Sequence, residues 1–322
     1  MQRYRCCHCR VTFSTQTFSG TYYLKRPELL EPIFHRLLAG SGLRQITREA
    51  RCAHSTVMGQ AARLARHALL YLAAQRPPGP VREPLVIDGF ESFAYSQYHP
   101  LHLNLVVGAE SHFVYGFTLS SLRRKGRMTE RQRARRAQLE ATQGRPDPRA
   151  LERDMAAALR LAAPEPQPLT VRSDDHPAYP RALRRLGGYR IRHERTPSIQ
   201  ARTPGNPLFP VNLMDLLLRH NSANHKRETI AFSKRHQAVI ERAAVLVLWR
   251  NYVKRFSENH AGHTPAMRLG LSRGPRSPRA ILQWRPFASR IALAPVWADY
   301  YRRRVATPGI ARPREHRLTR AF

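Results

Sequence analysis

Acidic residues are scarce in this chain. Only 22 of its 322 residues are Asp or Glu, against 55 Lys and Arg, so the formal net charge is +33. A charge excess of this size bears on binding partners rather than on the fold, and the obvious polyanionic partner is nucleic acid. A solvated basic surface without a specific partner is the alternative that composition alone leaves open.

Long apolar runs and cysteines are scarce as well. No segment approaches the roughly 20 apolar residues that span a bilayer, and the N-terminal MQRYRCCHCR lacks the apolar stretch of a signal peptide. Only four cysteines occur, three of them within residues 6–9, which argues against a secreted disulfide scaffold. A hydrophobic content of 42% nevertheless suffices for a core. We therefore expect a cytoplasmic, nucleoid-associated protein with no membrane partner.

The order of strand-like and helical patterns predicts an α/β fold. A helical N-terminal region ends at the Pro-rich RPPGPVREP of residues 76–84, the best domain boundary in the sequence. Three strand-like runs then precede a charged helical stretch at 121–163, a strand, a short helix, another strand and helical spacing from 206 to 256. This is the element order of the ribonuclease-H-like fold, a mixed sheet with flanking helices, although other α/β folds share parts of it.

Acidic residues stand at two strand ends. Asp88 follows the apolar run in PLVIDGFESF, and Asp174 with Asp175 ends the strand in PLTVRSDDHPAY. An ionised carboxylate buried alone costs several kcal/mol, whereas carboxylates that converge at strand ends are the ligands of Mg²⁺. Two such ions promote phosphoryl displacement. The structural alternative for Asp88 is a turn-forming Asp before Gly89, and Glu91 is expected to be a bystander.

The third acidic position is open between three residues. Asp215 lies on the apolar helical pattern VNLMDLLLRH, with Asn212 one turn before it on the same face. Glu228 lies further on in HKRETIAFSKR among basic residues, where a helix-forming or salt-bridged Glu is the simpler interpretation. We favour Asp215 because its helix directly follows the last strand, with Asn212 and Glu228 as alternatives.

The N-terminus contains half of a zinc-binding pattern. Cys6 and Cys9 have CxxC spacing, but the second pair that a tetrahedral structural site requires is absent. Cys52 lies in a helical segment and is interpreted as a small buried hydrophobe. A zinc site is therefore possible but incomplete, either because the chain starts inside the motif or because the motif has decayed.

A helix-turn-helix is predicted from LRQITREA, the turn RCAHS and the second helix STVMGQAARLARH, with Ser55 as the helix cap. An ordinary helical hairpin is the alternative. Base contacts are expected from Thr56, Gln60 and Arg63, and phosphate contacts from Arg44, Gln45 and Arg48. Basic residues beside the acidic positions should also hold DNA phosphates: Arg123, Arg124, Lys125, Lys226, Arg227, Lys234 and Arg235.

Several short motifs in this order resemble a known family. VIDGFESF, SHFVYGFT, RRKGRMT, SDDHPAY, HKRETIAFSKR and RNYVKRFSENHAGHTPAMRLGL are similar to bacterial insertion-sequence transposases of the DDE type with an N-terminal zinc ribbon and helix-turn-helix. The resemblance covers about residues 4–285. It implies a ribonuclease-H-like domain in which Asp88, Asp174 and a late acid bind two Mg²⁺ or Mn²⁺ ions. Some relatives carry Asn at the third position, which keeps Asn212 in consideration.

The resemblance implies nicking at the terminal inverted repeats of an element, strand transfer into target DNA, and a homo-oligomer on paired DNA ends. Two alternatives remain: an inert sequence-specific DNA-binding protein, and a ribonuclease or resolvase-type nuclease. The expected organisation is a partial zinc-ribbon-like segment at 1–24, a helix-turn-helix domain at 25–76, a catalytic domain at 77–256 with a helical insertion at 121–163, and a basic Pro/Arg-rich region at 257–322.

Overall fold

The computed structural model describes residues 2–17, 19–256, 262–285, 287–312 and 315–316. The chain begins with a small hairpin of β1 (Arg3–Arg5) and β2 (Thr12–Ser14). The remaining strands form one five-stranded sheet: β3 (Leu85–Phe93), β4 (Pro100–Gly108), β5 (Val114–Ser121), β6 (Pro168–Ser173) and β7 (Arg190–Arg195).

The five-stranded sheet is mixed, with the order β5-β4-β3-β6-β7. β3 is central, antiparallel to β4 on one side and parallel to β6 on the other. β5 runs antiparallel to β4, and β7 runs parallel to β6. The predicted mixed α/β sheet with flanking helices is therefore confirmed, and its order is compatible with a ribonuclease-H-like arrangement.

The strands form where apolar and β-branched residues are continuous. Leu85, Val86 and Ile87 are fully buried, as expected for a central strand that is covered on both faces. β4 is buried along almost its whole length. All three strand-like runs of the sequence between residues 85 and 120 correspond to strands.

Helices cover both faces of the sheet, and their bounds are α1 (Leu30–Leu38), α2 (Leu43–Glu49), α3 (His54–Ala74), α4 (Glu130–Gln143), α5 (Ala150–Ala162), α6 (Ala178–Arg184), α7 (Phe209–Asn221), α8 (His236–Tyr252), α9 (Pro265–Arg268), α10 (Pro278–Gln283) and α11 (Pro295–Tyr301). Short 3-10 turns lie at Pro27–Leu29, Ala223–His225 and Ala288–Arg290. α5 packs on β4 and β5, where a Cβ on Gly116 would lie 2.8 Å from the Ala158 carbonyl oxygen. α7 packs on β3 and β4, and α3 lies along α8.

The helical pattern predicted from 206 to 256 is interrupted in the structure. Residues 226–235 form an irregular loop between the Ala223–His225 turn and α8. Glu228, in this loop, has a φ of 53°, which is a left-handed conformation outside a regular right-handed helix. The expectation of continuous helix here was wrong, and the loop changes where Glu228 lies.

The C-terminal region has more regular structure than its weak sequence pattern predicted. α9, α10 and α11 each begin with a proline, and Thr264 and Ser277 cap the first two of these helices. Trp297 and Tyr301 are buried against the main core. Proline at the first helical position costs no hydrogen bond, so the Pro-rich composition here marks helix starts.

The segment predicted to form a helix-turn-helix is packed into the rest of the molecule along one helix, α3. α3 begins at His54 with Ala53 as its N-cap residue and no side-chain cap, so the predicted cap at Ser55 was wrong. The second half of α3 is buried almost continuously from Leu64 to Leu72. This face packs against α8 and α11, which leaves the N-terminal end of α3 as its exposed part.

Candidate active site

The site lies where β3 and β6 stop pairing. Among the described residues the two strands pair only at Leu85–Val171 and Val86–Arg172. Asp174 follows the last residue of β6, as predicted. Asp88 lies on β3 just beyond this pairing but not at the strand end as expected, because pairing with β4 continues the strand to Phe93. Side chains of strands that separate in this way can face a common crevice.

Asp88 is held by two donors on one oxygen. The Tyr179 hydroxyl donates to Asp88 Oδ1 at 2.8 Å, and the Gly89 backbone N–H donates to the same atom at 2.7 Å. Tyr179 belongs to α6 and is only 2% exposed. Its pKa is raised, first by burial and then by the negative charge of Asp88, so this hydroxyl remains a proton donor. The carboxylate orientation is therefore fixed from two elements.

Asp174 lies near Asp88, directly after the neighbouring strand β6. Its Oδ1 accepts the backbone N–H of His176 at 2.9 Å, and the side chain is half-buried. Burial raises the pKa of Asp174, the His176 N–H opposes this effect, and the charge of Asp88 adds to it. The neighbouring Asp175 is exposed and lies 3.4 Å from the Ser198 hydroxyl.

Asp215 approaches from α7. The side chain is half-buried, but its Oδ1 is shielded from solvent and has no hydrogen-bond partner in the described part of the chain. Its pKa is raised to about 8, first by burial and then by the charge of Asp88, and Arg219 and Arg202 offset these effects only in part. An unpaired carboxylate beside another carboxylate is a costly arrangement that a cation would relieve.

The other two candidates for the third position lie differently. Asn212 is half-buried one turn before Asp215 on α7, and its backbone N–H bonds to Leu208 within the helix start. Glu228 is exposed in the loop of residues 226–235. In the structure Asp215 is close enough to Asp88 for the charge of Asp88 to raise its pKa. We call Asp88, Asp174 and Asp215 the carboxylate site.

The donor chemistry of the carboxylate site fits a hard divalent cation, because such ions prefer carboxylate oxygens and Asp215 Oδ1 has no hydrogen-bond partner in the part of the chain that the structure describes. The distances between the three side chains do not fit such an ion equally well. Within the described ranges, no three His, Cys, Asp or Glu side chains are grouped closely enough to hold a metal ion as they stand. Binding would therefore require the three carboxylates to move closer together.

Tyr179 and His102 were not predicted from the sequence as site residues. His102 of β4 is buried and its ring crosses Gly89, where any Cβ would collide with the imidazole. His102 Nδ1 lies 2.8 Å from Asn104 Oδ1, and the Asn104 amide donates to Thr118 and Ser120. The signal in the sequence was LHLNL, which places two polar side chains on one face of an apolar strand.

The predicted base-reading residues are mostly turned inward. Gln60 is 2% exposed, and its amide donates to the Arg26 carbonyl at 2.8 Å. Arg63 donates to the Gly20 carbonyl at 3.0 Å, and burial lowers its pKa to about 10. In this conformation neither side chain projects outward to read a base edge, contrary to expectation. Thr56 is half-buried.

The remaining predicted DNA contacts lie at or near the surface. Arg44 and Arg48 are exposed, while Gln45, also exposed, accepts the Gly42 N–H at 2.6 Å. Arg123 and Arg124 line a cavity beside α4, whereas Lys125, Lys226 and Arg227 are exposed. The Lys234 ammonium lies 4.0 Å from the Phe232 ring centre, and Arg235 donates to the Ala311 carbonyl.

The cysteines do not form a complete zinc site within the described residues. Cys6 and Cys9 lie in the turn of the β1–β2 hairpin, and both are free thiols. The pKa of Cys6 is lowered, chiefly by a hydrogen bond with the Cys9 backbone, which favours the thiolate that a metal requires. Cys52 packs partly buried against the core, in keeping with its interpretation as a small hydrophobe.

No protein-family model and no curated protein matches the chain. Among solved structures, one similar chain comes from the cryo-electron microscopy structure of the simian T-cell lymphotropic virus intasome in complex with the PP2A regulatory subunit B56 gamma. The match has 15% identity and a TM-score of 0.28, and it covers 77% of this chain and 74% of the other. A TM-score this low does not establish a common fold.

A membrane-spanning helix was not expected, and none of the helices in the described residues is long and apolar enough to cross a bilayer.

Proposed function

We propose that this chain is a divalent-metal-dependent enzyme of the DDE type, with a ribonuclease-H-like domain that cleaves and joins DNA strands as an insertion-sequence transposase. The observation that carries the proposal is the convergence of Asp88, Asp174 and Asp215 from three separate elements, with Asp215 Oδ1 left without a hydrogen-bond partner among the described residues. The sheet order β5-β4-β3-β6-β7 supports it, as does the formal charge of +33.

The proposed chemistry is in-line displacement at phosphorus. Two bound Mg²⁺ or Mn²⁺ ions would polarise the phosphate and lower the pKa of an attacking hydroxyl or water. Tyr179 and Gly89 hold the Asp88 carboxylate in a fixed orientation, and the His176 N–H holds Asp174. Asp215 must lose its proton before it can ligate, because its pKa is raised to about 8. No protein nucleophile is needed.

The substrates under this proposal are the terminal inverted repeats of a mobile element and its target DNA, in the cytoplasm of a bacterial cell. A homo-oligomer on paired DNA ends belongs to the same proposal. Cys6 and Cys9 would supply two ligands of a structural Zn²⁺ ion, and the other two would have to come from elsewhere. The exposed Arg44 and Arg48 would contact backbone phosphates.

One observation favours a second candidate, an inert DNA-binding protein. The described acidic residues do not form a ready-made metal site, as expected if the carboxylates no longer ligate. This candidate predicts tight DNA binding with no cleavage under any divalent ion. The raised pKa of Asp215 favours the enzyme, because a carboxylate with no function at such a position is costly.

The test is nicking of a labelled DNA duplex that carries the ends of the element, with Mg²⁺ or Mn²⁺. We expect cleavage by the natural protein, none in chelator, and none after Asp88→Asn. Glu228→Gln is the matched control, because Glu228 is exposed and lies in the loop outside the carboxylate site. Cleavage that persists in Asp88→Asn would exclude the proposed chemistry, and loss in Glu228→Gln alone would reassign the third position.

A further inference from the structure

A cavity of about 230 Å³ lies between α4 and the end of β5. Its basic lining consists of Arg123, Arg124, Arg136 and Arg145, with Tyr98 and His99 on the β4 side. We call this cavity the cationic pocket. The cavity lies beyond the strand ends, where β3 and β5 finish and β4 begins, since Phe93 pairs with Pro100 and Leu101 pairs with Ser121.

The arginines of the cationic pocket exceed the acidic charge that faces them. Glu140 is the only acid in the described lining. Arg123 donates to both oxygens of Glu140, at 2.7 and 2.9 Å, and Arg136 Nε lies 3.6 Å away. The pKa of Glu140 is lowered chiefly by the hydrogen bond from Arg123, with Arg136 and Arg145 contributing charge. Three guanidinium groups thus act on one carboxylate, and Arg124 adds a fourth to the lining.

Two guanidinium groups in the cationic pocket have donors without acceptors. Arg124 Nη1 and Arg136 Nε are shielded from solvent and have no hydrogen-bond partner within the described residues. Arg136 Nη1 donates to the Arg124 carbonyl at 3.1 Å, and the Arg124 guanidinium lies 5.0 Å from the Tyr98 ring centre. Buried charged donors without acceptors are costly, and an anion with several oxygens would satisfy them.

A second basic cavity continues from the first. It has a volume of about 750 Å³, shares Tyr98 with the cationic pocket, and is lined by Arg131 and Arg135 of α4. α4 has no buried residue, so its arginines are not explained by a packing role. A continuous basic path past an aromatic side chain fits a polyanionic strand better than a small isolated anion.

We propose that the cationic pocket binds a backbone phosphate of a nucleic-acid strand, as an anchor apart from the carboxylate site. In the free protein the Glu140 carboxylate pairs with the arginines that would bind the phosphate. The nucleic-acid strand continues past Tyr98 along α4. This inference deepens the proposed function, on which the identity of the strand as DNA depends. It adds Arg136, Arg145 and Tyr98 to the nucleic-acid contacts that the sequence predicts.

The test measures binding of a fluorescent single-stranded and a fluorescent duplex DNA by anisotropy, in chelator, with the Asp88→Asn protein. We expect Arg124→Gln and Arg136→Gln each to weaken binding about tenfold and to reduce the salt dependence by about one phosphate contact. The matched control is Arg133→Gln, which removes an exposed arginine of the same helix outside the pocket. It should change the affinity about twofold or less.

Glu140→Gln gives a result of opposite sign. Removing the competing carboxylate should tighten DNA binding, whereas Glu130→Gln, at a 95% exposed side chain of the same helix, should not. An equal loss of DNA affinity in Arg133→Gln and in the pocket variants would refute the proposal that the pocket binds phosphate. Weaker DNA binding by a Glu140→Gln protein of unchanged thermal stability would refute it as well. Selective loss of binding in a protein that never cleaves DNA would retain the pocket and reject the transposase. Normal DNA cleavage by the natural protein, together with unchanged DNA affinity in the pocket variants, would retain the transposase and reject the pocket.

Discussion

Replacing Asp215 by Asn should make the protein more stable while it removes DNA cleavage. Asp215 Oδ1 is buried without a partner among the described residues, and the pKa of the carboxyl is raised to about 8 by burial and by Asp88. The ionised side chain therefore destabilises the folded state. Asn has nearly the same shape and no charge, so the variant removes this cost together with a proposed metal ligand.

The magnitude follows from the pKa. A rise from 3.8 to about 8 corresponds, at about 1.4 kcal/mol per unit, to a ceiling of roughly 6 kcal/mol. Water penetration and local relaxation reduce this figure, and we expect a gain of about 2 kcal/mol in the unfolding free energy. Because the folded pKa exceeds the unfolded one, the contribution of Asp215 is fully present below about pH 4 and is lost as the pH rises to about 8.

The assay compares urea unfolding of the natural protein and Asp215→Asn at about pH 5 and about pH 9. The advantage of the variant should grow with pH and level off above about pH 8. Asp175→Asn, at the exposed neighbour of Asp174, is the control and should shift stability by about 0.5 kcal/mol or less. Millimolar Mg²⁺ should stabilise only the natural protein and the control. A pH-independent difference, or a less stable Asp215→Asn protein, would refute the reasoning.

Two further substitutions test how the site is held. Tyr179→Phe removes one of the two hydrogen bonds to Asp88 Oδ1, so cleavage should slow about tenfold while stability falls by about 1 kcal/mol and DNA affinity is unchanged; an unaltered cleavage rate would deny Tyr179 a positioning role. Gly89→Ala introduces a Cβ that collides with the His102 ring and should cost about 3 kcal/mol in urea unfolding. His102→Ala should restore part of that loss, and an equal cost in both backgrounds would count against the collision.

Local pattern was enough to predict the elements of the sheet. The apolar run before Asp88 and the period-two alternation in β4 and β5 can be satisfied only by strands, because successive side chains point to opposite faces. The position of Asp174 directly after β6 followed from the same reasoning, whereas Asp88 lies within β3, which continues past it to Phe93. Their neighbours at the site, Tyr179 and His102, could not be predicted, because each reaches Asp88 or Gly89 from an element distant in the sequence.

Tertiary structure distinguishes the surroundings of Asp215 from those of Glu228. Asp215 lies in an apolar helical pattern and Glu228 in a basic stretch that was also expected to be helical. α7 packs against β3, and the charge of Asp88 acts on the Asp215 carboxyl. Glu228 lies instead in a loop with a left-handed backbone. Spacing gives the face of a helix on which a residue lies, whereas the neighbour that covers the face depends on the whole fold.

The same distinction applies to the basic residues. The sequence by itself determined that this protein carries a large positive charge, a strand-rich central region and an acid directly after the strand that ends at Ser173. Only the tertiary structure decided that Gln60 and Arg63 face the N-terminal segment while Arg124 and Arg136 face a cavity. The physical reason is that charge and periodicity belong to single segments of chain, whereas burial and hydrogen-bond partners depend on the segments that fold against them.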